Sequence, residues 1–375
     1  MSILLLVFGL LAFVSLVVIH EYGHFIVARR NGIDVEEFGI GFPPRAWGKK
    51  TKQGFLFSIN WLPIGGFVKL KGEHDADTEK GSFGAASFSA KVKVMLAGVG
   101  MNLLAAFVLF TVLAWVGMPQ LIDNQFTVAS DTKVVRNDVL VGRVEPGSAG
   151  DKAGLKVQDT LLRIVDAKGV AHTITNAEQL PPLTETLSGQ KVSIEYQRDG
   201  QTKSTTATLF TKQHIQELQS KGKKAGYLGV SPAEYTLQRS TWSAPVVGLG
   251  LVKQFTVATL QGIGTALSAL FHGQGHKASE QVAGPIGIFA VLKDGSVLGF
   301  QFVLMIIAII SLTLAIMNVL PIPALDGGRL FVMLVARLIG KPLTEEIEDK
   351  VYGAGFLVLM ALIVTVTVID VRRFF

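Results

Sequence analysis

Residues 20–24 combine three side chains that can bind or serve a transition metal. They read His-Glu-Tyr-Gly-His, so His20 and His24 are separated by four positions. On a helix this spacing places both imidazoles on one face, one turn apart, where they can bind a single ion. Glu21 lies beside the first imidazole and could take a proton from water at that ion. The pattern predicts a hydrolytic zinc site with His20 and His24 as ligands and Glu21 as the base.

A catalytic zinc usually has three protein ligands and one open position. The extended motif with a third histidine six residues further on is absent, because Arg30 occupies that place. The best remaining candidate is Asp326, within the sequence Asn-Val-Leu-Pro-Ile-Pro-Ala-Leu-Asp-Gly-Gly at 318–328. The two prolines and two glycines interrupt a helix there, and interrupted backbone at membrane depth lines a cavity. Asp326 alone would also suit a helix cap or a turn, so its assignment depends on the first motif.

The composition predicts that part of the chain lies in lipid. Of its 375 residues, 49% are hydrophobic and 17% are charged, and the mean hydropathy is +0.44. Soluble domains have about 25% charged residues. Cysteine is absent, which excludes disulfides and thiolate metal sites. A net charge of +6 is more typical of basic loops at lipid headgroups than of nucleic-acid binding, so we expect no nucleic-acid partner.

Four segments are predicted to cross the membrane. The apolar run 3–19 has no preceding basic residue and no small-residue cleavage site after it, so we interpret it as a retained helix and not a signal peptide. Segments 94–118, 297–320 and 351–370 are also long enough for a hydrocarbon core of about 30 Å. A fifth segment, 243–272, is interrupted by Lys253, Gln254 and Gln261. We predict that it lies on the membrane surface.

The orientation follows from the basic residues of the short loops. Those between the first two spans are Arg29, Arg30, Arg45, Lys49, Lys50, Lys52, Lys69, Lys71, Lys80, Lys91 and Lys93. The loop 329–350 contains four more, which predicts that both loops are cytoplasmic and that 119–296 and both termini are outside. Arg372 and Arg373 do not fit this rule.

The number of spans follows from the two metal motifs. If segment 243–272 lies flat, the third span delivers Asp326 to the side of the membrane where His24 lies. If that segment crossed the membrane, Asp326 and His24 would lie on opposite sides, so the metal motifs favour four spans.

Several motifs in order give the chain a family resemblance. Besides the two metal motifs they are Phe-Gly-Ile-Gly-Phe-Pro-Pro at 38–44, Pro-Ile-Gly-Gly-Phe-Val-Lys at 63–69 and Gly-Pro-Ile-Gly-Ile at 284–288. Over nearly its whole length the chain resembles the site-2 protease family of intramembrane zinc metalloproteases, of the bacterial regulator-of-sigma-E protease type. The resemblance implies zinc bound by His20, His24 and Asp326, with Glu21 catalytic. It also implies that Asn318 contacts the substrate backbone or the developing oxyanion.

The long external region resembles a PDZ domain over about 130–235. Val-Glu-Pro-Gly-Ser-Ala at 144–149 and Gly-Tyr-Leu-Gly-Val at 226–230 carry the likeness, whereas Gln158 and Gly150 depart from it. The second motif predicts that Tyr227, Leu228 and Gly229 bind a peptide, whose strand would add to the sheet edge. The alternative is a bulky filter that excludes substrates with large outer domains. Both remain open.

The apolar, alternating stretch 54–70 contains a Pro-Ile-Gly-Gly break and predicts a β-hairpin. By resemblance it would dip into the membrane beside the zinc, where Gly65 and Gly66 could contact an unwound substrate by strand addition. Alternatively, the hairpin only packs against the helices.

Together these features predict a polytopic α-helical membrane protein with four transmembrane helices, a membrane-associated β-hairpin and one inserted extracytoplasmic PDZ-like α+β domain. Its predicted parts are 1–118, 130–235, 243–272 and 280–375. The resemblance implies a zinc-dependent intramembrane endopeptidase of the inner or plasma membrane, with its active site near the cytoplasmic face. Its partners would be the lipid bilayer, single-span substrates such as anti-sigma factors or remnant signal peptides, and an upstream site-1 protease.

Two other functions remain compatible with the sequence. One is a membrane protease of the same zinc motif that acts on soluble or loop segments. The other is a non-enzymatic membrane scaffold built around the PDZ-like domain, for which the metal motifs would be dispensable.

Overall fold

The computed structural model describes residues 2–220, 226–280, 282–341 and 343–374. The chain divides into two compact units. The helical unit comprises Met1–Leu113 and Ala244–Phe375, and the β unit comprises Ala114–Ser243.

The helices in chain order are α1 (Ser2–Arg30), α2 (Phe88–Val116), α3 (Ala149–Lys152), α4 (Leu180–Thr186), α5 (Lys212–Ser220), α6 (Ala244–Phe271), α7 (Gly275–Glu280), α8 (Pro285–Leu298), α9 (Phe300–Val319), α10 (Asp326–Ile339) and α11 (Glu345–Phe374). The strands are β1 (Val35–Lys50), β2 (Leu56–Leu70), β3 (Met118–Pro119), β4 (Lys133–Val144), β5 (Thr160–Val165), β6 (Ala171–Thr173), β7 (Lys191–Arg198), β8 (Gln201–Thr208) and β9 (Val230–Arg239).

Five helices of the described chain are long and apolar enough to cross a membrane: α1, α2, α6, α9 and α11. Four of them contain the predicted spans, and the chain is therefore a membrane protein of several apolar helices with a β region. The predicted third span, 297–320, is divided by Gly299 between the end of α8 and the whole of α9. Helix α6 satisfies the same criteria of length and composition, so these criteria alone do not distinguish a surface helix from a crossing one.

Helix α1 packs tightly on its neighbours through glycines. A Cβ on Gly23 would lie 2.6 Å from the carbonyl oxygen of Ala97, and a Cβ on Gly9 would lie 3.1 Å from Val303. Glycine therefore permits close approach of α2 at one end of α1 and of α9 at the other. In membranes, where lipid is as apolar as the side chains, such close backbone packing is a main source of helix association.

Helices α1 and α9 run in the same direction. The rings of Phe8 and Phe300, near their first residues, are 5.3 Å apart. Further along, Ser311 of α9 donates a hydrogen bond of 2.8 Å to the carbonyl oxygen of Asn102, whose side chain lies beside His20 of α1. The second half of α9 is therefore at the level of the histidine pair.

The predicted hairpin within 54–70 is wrong in its pairing. Strands β1 and β2 form a sheet in which the segment Glu37–Ile40 pairs with 56–59 on one side and with 66–69 on the other. The two arms of the predicted hairpin are therefore separated by a segment of β1. A local alternating pattern cannot reveal this arrangement, because the intervening strand comes from earlier in the chain. The segment 66–70, the C-terminal part of β2, is the outer arm of this sheet. It packs against α1, where Val68 and Leu70 share an apolar cluster with Ala28.

The β unit is a sheet of seven strands in the order β3-β9-β4-β5-β7-β8, with β6 paired to β5. Its core contains buried aliphatic residues from four strands and two helices, including Val141, Leu161, Ile194 and Leu228. Strand β9 pairs along its whole length with β4, and among the described residues its other edge pairs with a strand only at Leu237 and Gln238, with β3. The predicted range 130–235 lies within this unit, and its identification as a PDZ domain stays a prediction.

Candidate metal centre

The structure brings His20, His24 and Asp326 together, although 302 positions separate the second histidine from the aspartate in the sequence. The Nε2 atoms of the two histidines lie 3.1 Å apart, and each lies 3.1 Å from Oδ2 of Asp326. Both imidazoles are buried, at 7% exposure. We call these three residues the metal centre.

The spacing of the metal centre fits a tetrahedral ion. With zinc bonds of about 2.0–2.1 Å to nitrogen and oxygen, tetrahedral geometry requires ligand atoms about 3.3–3.4 Å apart. Three donor atoms 3.1 Å from one another approach this arrangement and leave a fourth direction for water or substrate. Two imidazoles and one carboxylate are also a donor set that zinc prefers in catalytic sites.

Glycines at three positions make room for the metal centre. A Cβ on Gly98 of α2 would lie 2.5 Å from atoms of both imidazole rings, so any side chain there would displace the ligands. Gly327 and Gly328 begin α10 immediately after Asp326, and a Cβ on either would lie within 2.3 Å of the carbonyl oxygen of Val319 or Ile322. These glycines let the first turn of α10 fold tightly against the end of α9, which places Asp326 beside α1.

The imidazoles are oriented by partners of α2. Nδ1 of His24 lies 2.7 Å from the carbonyl oxygen of Val94, so Nδ1 donates the hydrogen bond and Nε2 is left without a proton. This is the tautomer that a metal ligand requires.

Asn102 supplies a further observation that fits zinc. Its side-chain amide lies 3.3 Å from Nδ1 of His20, and its Oδ1 is buried without a hydrogen-bond partner among the described residues. A zinc ion on Nε2 of His20 requires a proton on Nδ1, and that proton requires an acceptor. Turning the amide over presents Oδ1 to Nδ1 and satisfies both atoms, since amide orientation follows the hydrogen-bond network.

Glu21 projects from the same helix as the histidines and contacts strand β2. The backbone N–H of Val68 faces its carboxylate. A Cβ on Gly66 would lie 3.4 Å from Cγ of Glu21, so the outer arm of β2 passes directly beside the predicted base. Gly65 adopts φ +99, a conformation that favours glycine, against the ring of Phe42.

The remaining predicted site residues lie elsewhere. Asn318 is half-buried near the end of α9, and its Nδ2 donates 3.0 Å to the carbonyl oxygen of Leu314 in the preceding turn. Its role toward substrate stays a prediction. In the β unit, Leu228 and Gly229 are buried, and their carbonyl oxygens accept from the amides of Gly150 and Glu145.

The loop 226–229 of the β unit, for which peptide binding was predicted, lines a cavity of about 770 Å³. Its walls include Leu180 and Thr184 of α4 on one side and Tyr227 to Val230 on the other. Gly229 adopts φ +71, and a Cβ there would lie 2.1 Å from Cβ of Ser148, so the turn requires glycine. The open edge of β9 begins at this turn.

Asn102 and Gly98 are site residues that our sequence analysis missed. Both lie in an apolar helix, where a buried asparagine is costly unless it has a specific partner. That cost was a usable signal for Asn102, but nothing in α2 alone indicates that its partner is His20. Gly98 has no such signal, because glycine is common in membrane helices.

Comparisons with known proteins find zinc metalloproteases among the proteins similar to this chain. The profile of peptidase family M50 matches residues 8–362. A protein of Clostridium acetobutylicum that carries the name of a zinc metalloprotease is 31% identical over 99% of this chain and 98% of its own length. The zinc metalloprotease RasP of Geobacillus kaustophilus is 26% identical, covering 98% of this chain and 97% of its own. The protease Eep of Enterococcus faecalis is also 26% identical, with coverages of 99% and 98%.

Proposed function

Because the chain belongs to peptidase family M50 and is a zinc metalloendopeptidase of the site-2 protease type, we propose that it cuts peptide bonds within transmembrane segments of single-span membrane proteins. Anti-sigma factors and remnant signal peptides are the substrate classes that we favour. An upstream protease would make the first cut in such substrates.

The observation that carries this proposal is the position of the metal centre within apolar helices. His20 and His24 lie in the span Ile3–Arg30, and Asp326 follows the span Phe300–Val319 after six residues that begin at Leu320 and include two prolines. Ionisable side chains are rare within membrane helices and usually mark functional sites. Two of them within one such helix and a third just beyond the end of another, with donor atoms 3.1 Å apart, support hydrolysis at the depth of the membrane.

The residues of the chain have distinct roles in the proposed reaction. The metal centre holds zinc, which when bound supplies Lewis-acid chemistry by acidifying water and polarising a carbonyl group. Glu21 takes the proton of the attacking water and passes it to the leaving amine. The N–H of Val68 faces the carboxylate of Glu21 and would help to position it for both transfers. Asn318, by family resemblance, hydrogen-bonds the substrate backbone or the developing oxyanion.

A transmembrane helix must unwind before its peptide bonds can react, since its carbonyl and amide groups are hydrogen-bonded to each other. We propose that the outer arm of β2, at 66–70, accepts the unwound segment as an added strand. Its position beside Glu21 supports this role, because a strand paired there would run past the metal centre. Backbone hydrogen bonds would supply affinity with little dependence on sequence.

We further propose four spans, with the metal centre toward the cytoplasm and both termini outside. The shared direction of α1 and α9 supports an even number of crossings between the end of α2 and the start of α9. Helix α8 has 14 residues. That corresponds to about 21 Å at 1.5 Å per residue, which is short for a hydrocarbon core of about 30 Å. If α6 crossed the membrane, α8 would have to cross back so that α9 could begin on the side where α2 ends. Since α8 is too short for that crossing, α6 lies along the surface.

This topology can be tested by labelling. Ser204 is exposed on β8, so Ser204→Cys offers the only thiol in a chain that has no cysteine of its own. We expect a membrane-impermeant reagent to label it in intact cells from the outside. Labelling only from the cytoplasmic side would overturn the proposed orientation.

For the β unit we propose substrate selection. The cavity beside Tyr227 and the open edge of β9 support binding of an extended peptide. Exclusion of substrates with large outer domains would require only the bulk of the unit. The two roles predict different effects of removing it, which are considered below.

Substitution Glu21→Gln tests the proposed reaction most directly. The amide keeps the size of the side chain but cannot accept the proton of water at neutral pH. We expect one zinc per chain, retained substrate binding, and cleavage of a single-span substrate slowed by about 10²–10⁴-fold. The matched control is Glu36→Gln, which removes an exposed carboxylate paired with Lys69 and should cleave like wild type. Near-normal cleavage by zinc-loaded Glu21→Gln would refute the proposed mechanism.

The same assay separates the other functions that the sequence allows. A scaffold would leave the substrate intact with wild-type protein as well. A protease of loop segments would cut outside the transmembrane segment, which mass spectrometry of the products would reveal.

A further inference from the structure

A second group of metal-binding side chains lies at the surface of the helical unit. His74 follows strand β2, whereas Glu345 and Asp349 lie on the first two turns of α11. Nε2 of His74 is 3.2 Å from Oδ1 of Asp349, and its Nδ1 is 3.8 Å from Oε1 of Glu345. One ligand atom from each residue lies within 4.8 Å of the others. We call these three residues the outer cluster.

The outer cluster and the metal centre share a cavity. This cavity has a volume of about 420 Å³ and is lined by His74 and Asp349 of the outer cluster and by Asp326 of the metal centre. Its wall is mixed: the polar side chains of Glu73, Glu348, Arg329 and Tyr352 alternate with the apolar residues Ala324, Leu325 and Phe356. One cavity that carries several charged side chains therefore joins a surface set of ligands to the metal centre.

The outer cluster is held in place by contacts that do not use its own ligand atoms. The backbone N–H of Asp75 donates 2.9 Å to Oε1 of Glu348, which ties the loop of His74 to α11. Lys91 of α2 forms an ion pair with Asp75. Arg329 of α10 donates to the carbonyl oxygen of Glu73. These bonds bring the imidazole and the two carboxylates together before any ion arrives.

The outer cluster differs from the metal centre in exposure. The side chains of Glu345 and Asp349 are 69% and 68% exposed, and that of His74 is 34% exposed. Exposed carboxylates are screened by water and salt, so they attract a cation without holding it tightly. Partial burial acts to lower the pKa of His74, but the carboxylates of Asp349 and Glu345 outweigh it and raise this pKa above its ordinary value. The local potential is therefore negative.

We propose that the outer cluster is a second, weaker zinc site, which takes the ion from solution and passes it through the cavity to the metal centre. An imidazole and two carboxylates are ligands that zinc accepts, and water completes the coordination. Carboxylates along the cavity wall, Glu73 and Glu348 among them, compensate the charge of the ion during its passage. The inference rests on the proposed ligation of zinc by the metal centre.

The first experiment examines the outer cluster without the metal centre. In the full chain with His20→Ala and His24→Ala, calorimetric titration with Zn²⁺ should detect one weak site. Adding His74→Ala should abolish that site. Absence of any zinc binding in the double variant would overturn the inference, whatever the metal centre does. Weak binding that survives His74→Ala would also overturn it, because the ion would then be held elsewhere.

The second experiment measures loading of the metal centre. Wild-type protein in detergent is stripped with a chelator, and uptake of zinc is followed with a fluorescent indicator. Loss of the two carboxylates in Glu345→Gln/Asp349→Asn should slow uptake by about tenfold or more, since electrostatic attraction raises association rates by about 10–10³-fold. The final zinc content and the activity of the loaded enzyme should equal those of wild type.

The matched control is Glu346→Gln/Glu36→Gln, which removes the same charge outside the outer cluster. Glu346 pairs with Lys350 and Glu36 pairs with Lys69, both on the surface. Equal loading rates for control and test variants would refute a loading role. A lower final zinc content in the test variant alone would refute it too, because the carboxylates would then serve the metal centre itself. If wild type binds no zinc at His20 and His24, the proposed metal centre fails independently of the first experiment.

Discussion

Each unit of the molecule holds an aspartate against side-chain nitrogen atoms, Asp159 fully buried and Asp326 half-buried, and the two are satisfied in different ways. In the β unit, Asp159 is 1% exposed and accepts from Nε and Nη2 of Arg198 at 2.6 and 2.5 Å and from the amide of Lys156 at 2.7 Å. In the helical unit, Asp326 faces Nε2 atoms of two histidines at 3.1 Å.

The difference separates a structural carboxylate from a functional one. Arg198 is permanently charged and fills the acceptor positions of Asp159, so the pair is complete within the protein. The histidines opposite Asp326 are neutral imidazoles when Nδ1 of each carries the proton, which leaves three electron-pair donors directed at one point. Such a set is completed by a cation from outside. A buried carboxylate is therefore informative only together with the charge state of its partners.

The largest expected effect comes from removing Asp326, the aspartate whose partners in the protein carry no fixed positive charge. Asp326→Ala takes away one of three ligands, and we expect loss of nearly all bound zinc and of measurable cleavage. The fold should persist, because the substitution removes no part of the hydrophobic core. Metal analysis per chain and circular dichroism check these two outcomes. Wild-type zinc content in Asp326→Ala would show that the aspartate is not a ligand.

Breaking the ion pair of Arg198 and Asp159 should have the opposite effect: the stability of the β unit should fall while zinc binding is kept. Arg198→Met leaves Asp159 buried without its counter-ion, which typically destabilises a protein by about 3–5 kcal/mol. We expect faster hydrogen exchange at β5 and β7 and unchanged zinc content. Arg136→Met is the control, because Arg136 is half exposed beside Asp138 and such pairs contribute at most about 1 kcal/mol. Zinc loss in Arg198→Met would contradict the separation of roles.

A smaller effect on zinc affinity is expected from replacing Asn102, whose side chain lies beside Nδ1 of His20. Asn102→Leu removes the acceptor for Nδ1–H, and loss of such an orienting partner usually weakens metal binding by about 10–100-fold. Asn102→Asp keeps an acceptor and should retain zinc. Competition with a chelator of known affinity measures both variants. If Asn102→Asp binds zinc as poorly as Asn102→Leu, the residue acts through packing and not through the imidazole proton.

The smallest effect is predicted for removal of residues 130–235. No ligand of the metal centre lies in this range, so zinc content and cleavage of substrates with short outer segments should be unchanged. Substrates with large outer domains should be cut more readily than by wild type if the unit excludes them. Complete loss of cleavage in a folded deletion would instead indicate obligatory recognition by the cavity beside Tyr227.

The sequence predicted the ligand set because its chemistry is encoded locally. The spacing of His20 and His24 specifies one helix face, and the glycines and prolines around Asp326 specify an interrupted helix in an apolar context. The pairing of 54–70 was predicted wrongly for the opposite reason, since strand order depends on which distant segment fills the space between two arms. The role of Asn102 was missed because it depends on contact with His20, which lies 82 positions away in the sequence.

The sequence by itself determined the features that follow from local periodicity and from residue chemistry. These are the apolar segments of membrane length, the two imidazoles one turn apart, and the carboxylate at a helix break. Only the tertiary structure decided the distances that join them, the glycine contacts that admit the imidazoles, and the cavity that connects Asp326 with His74. These features arise where separate helices meet. Packing between elements depends on shape at the contact, and no local pattern in either element encodes that shape.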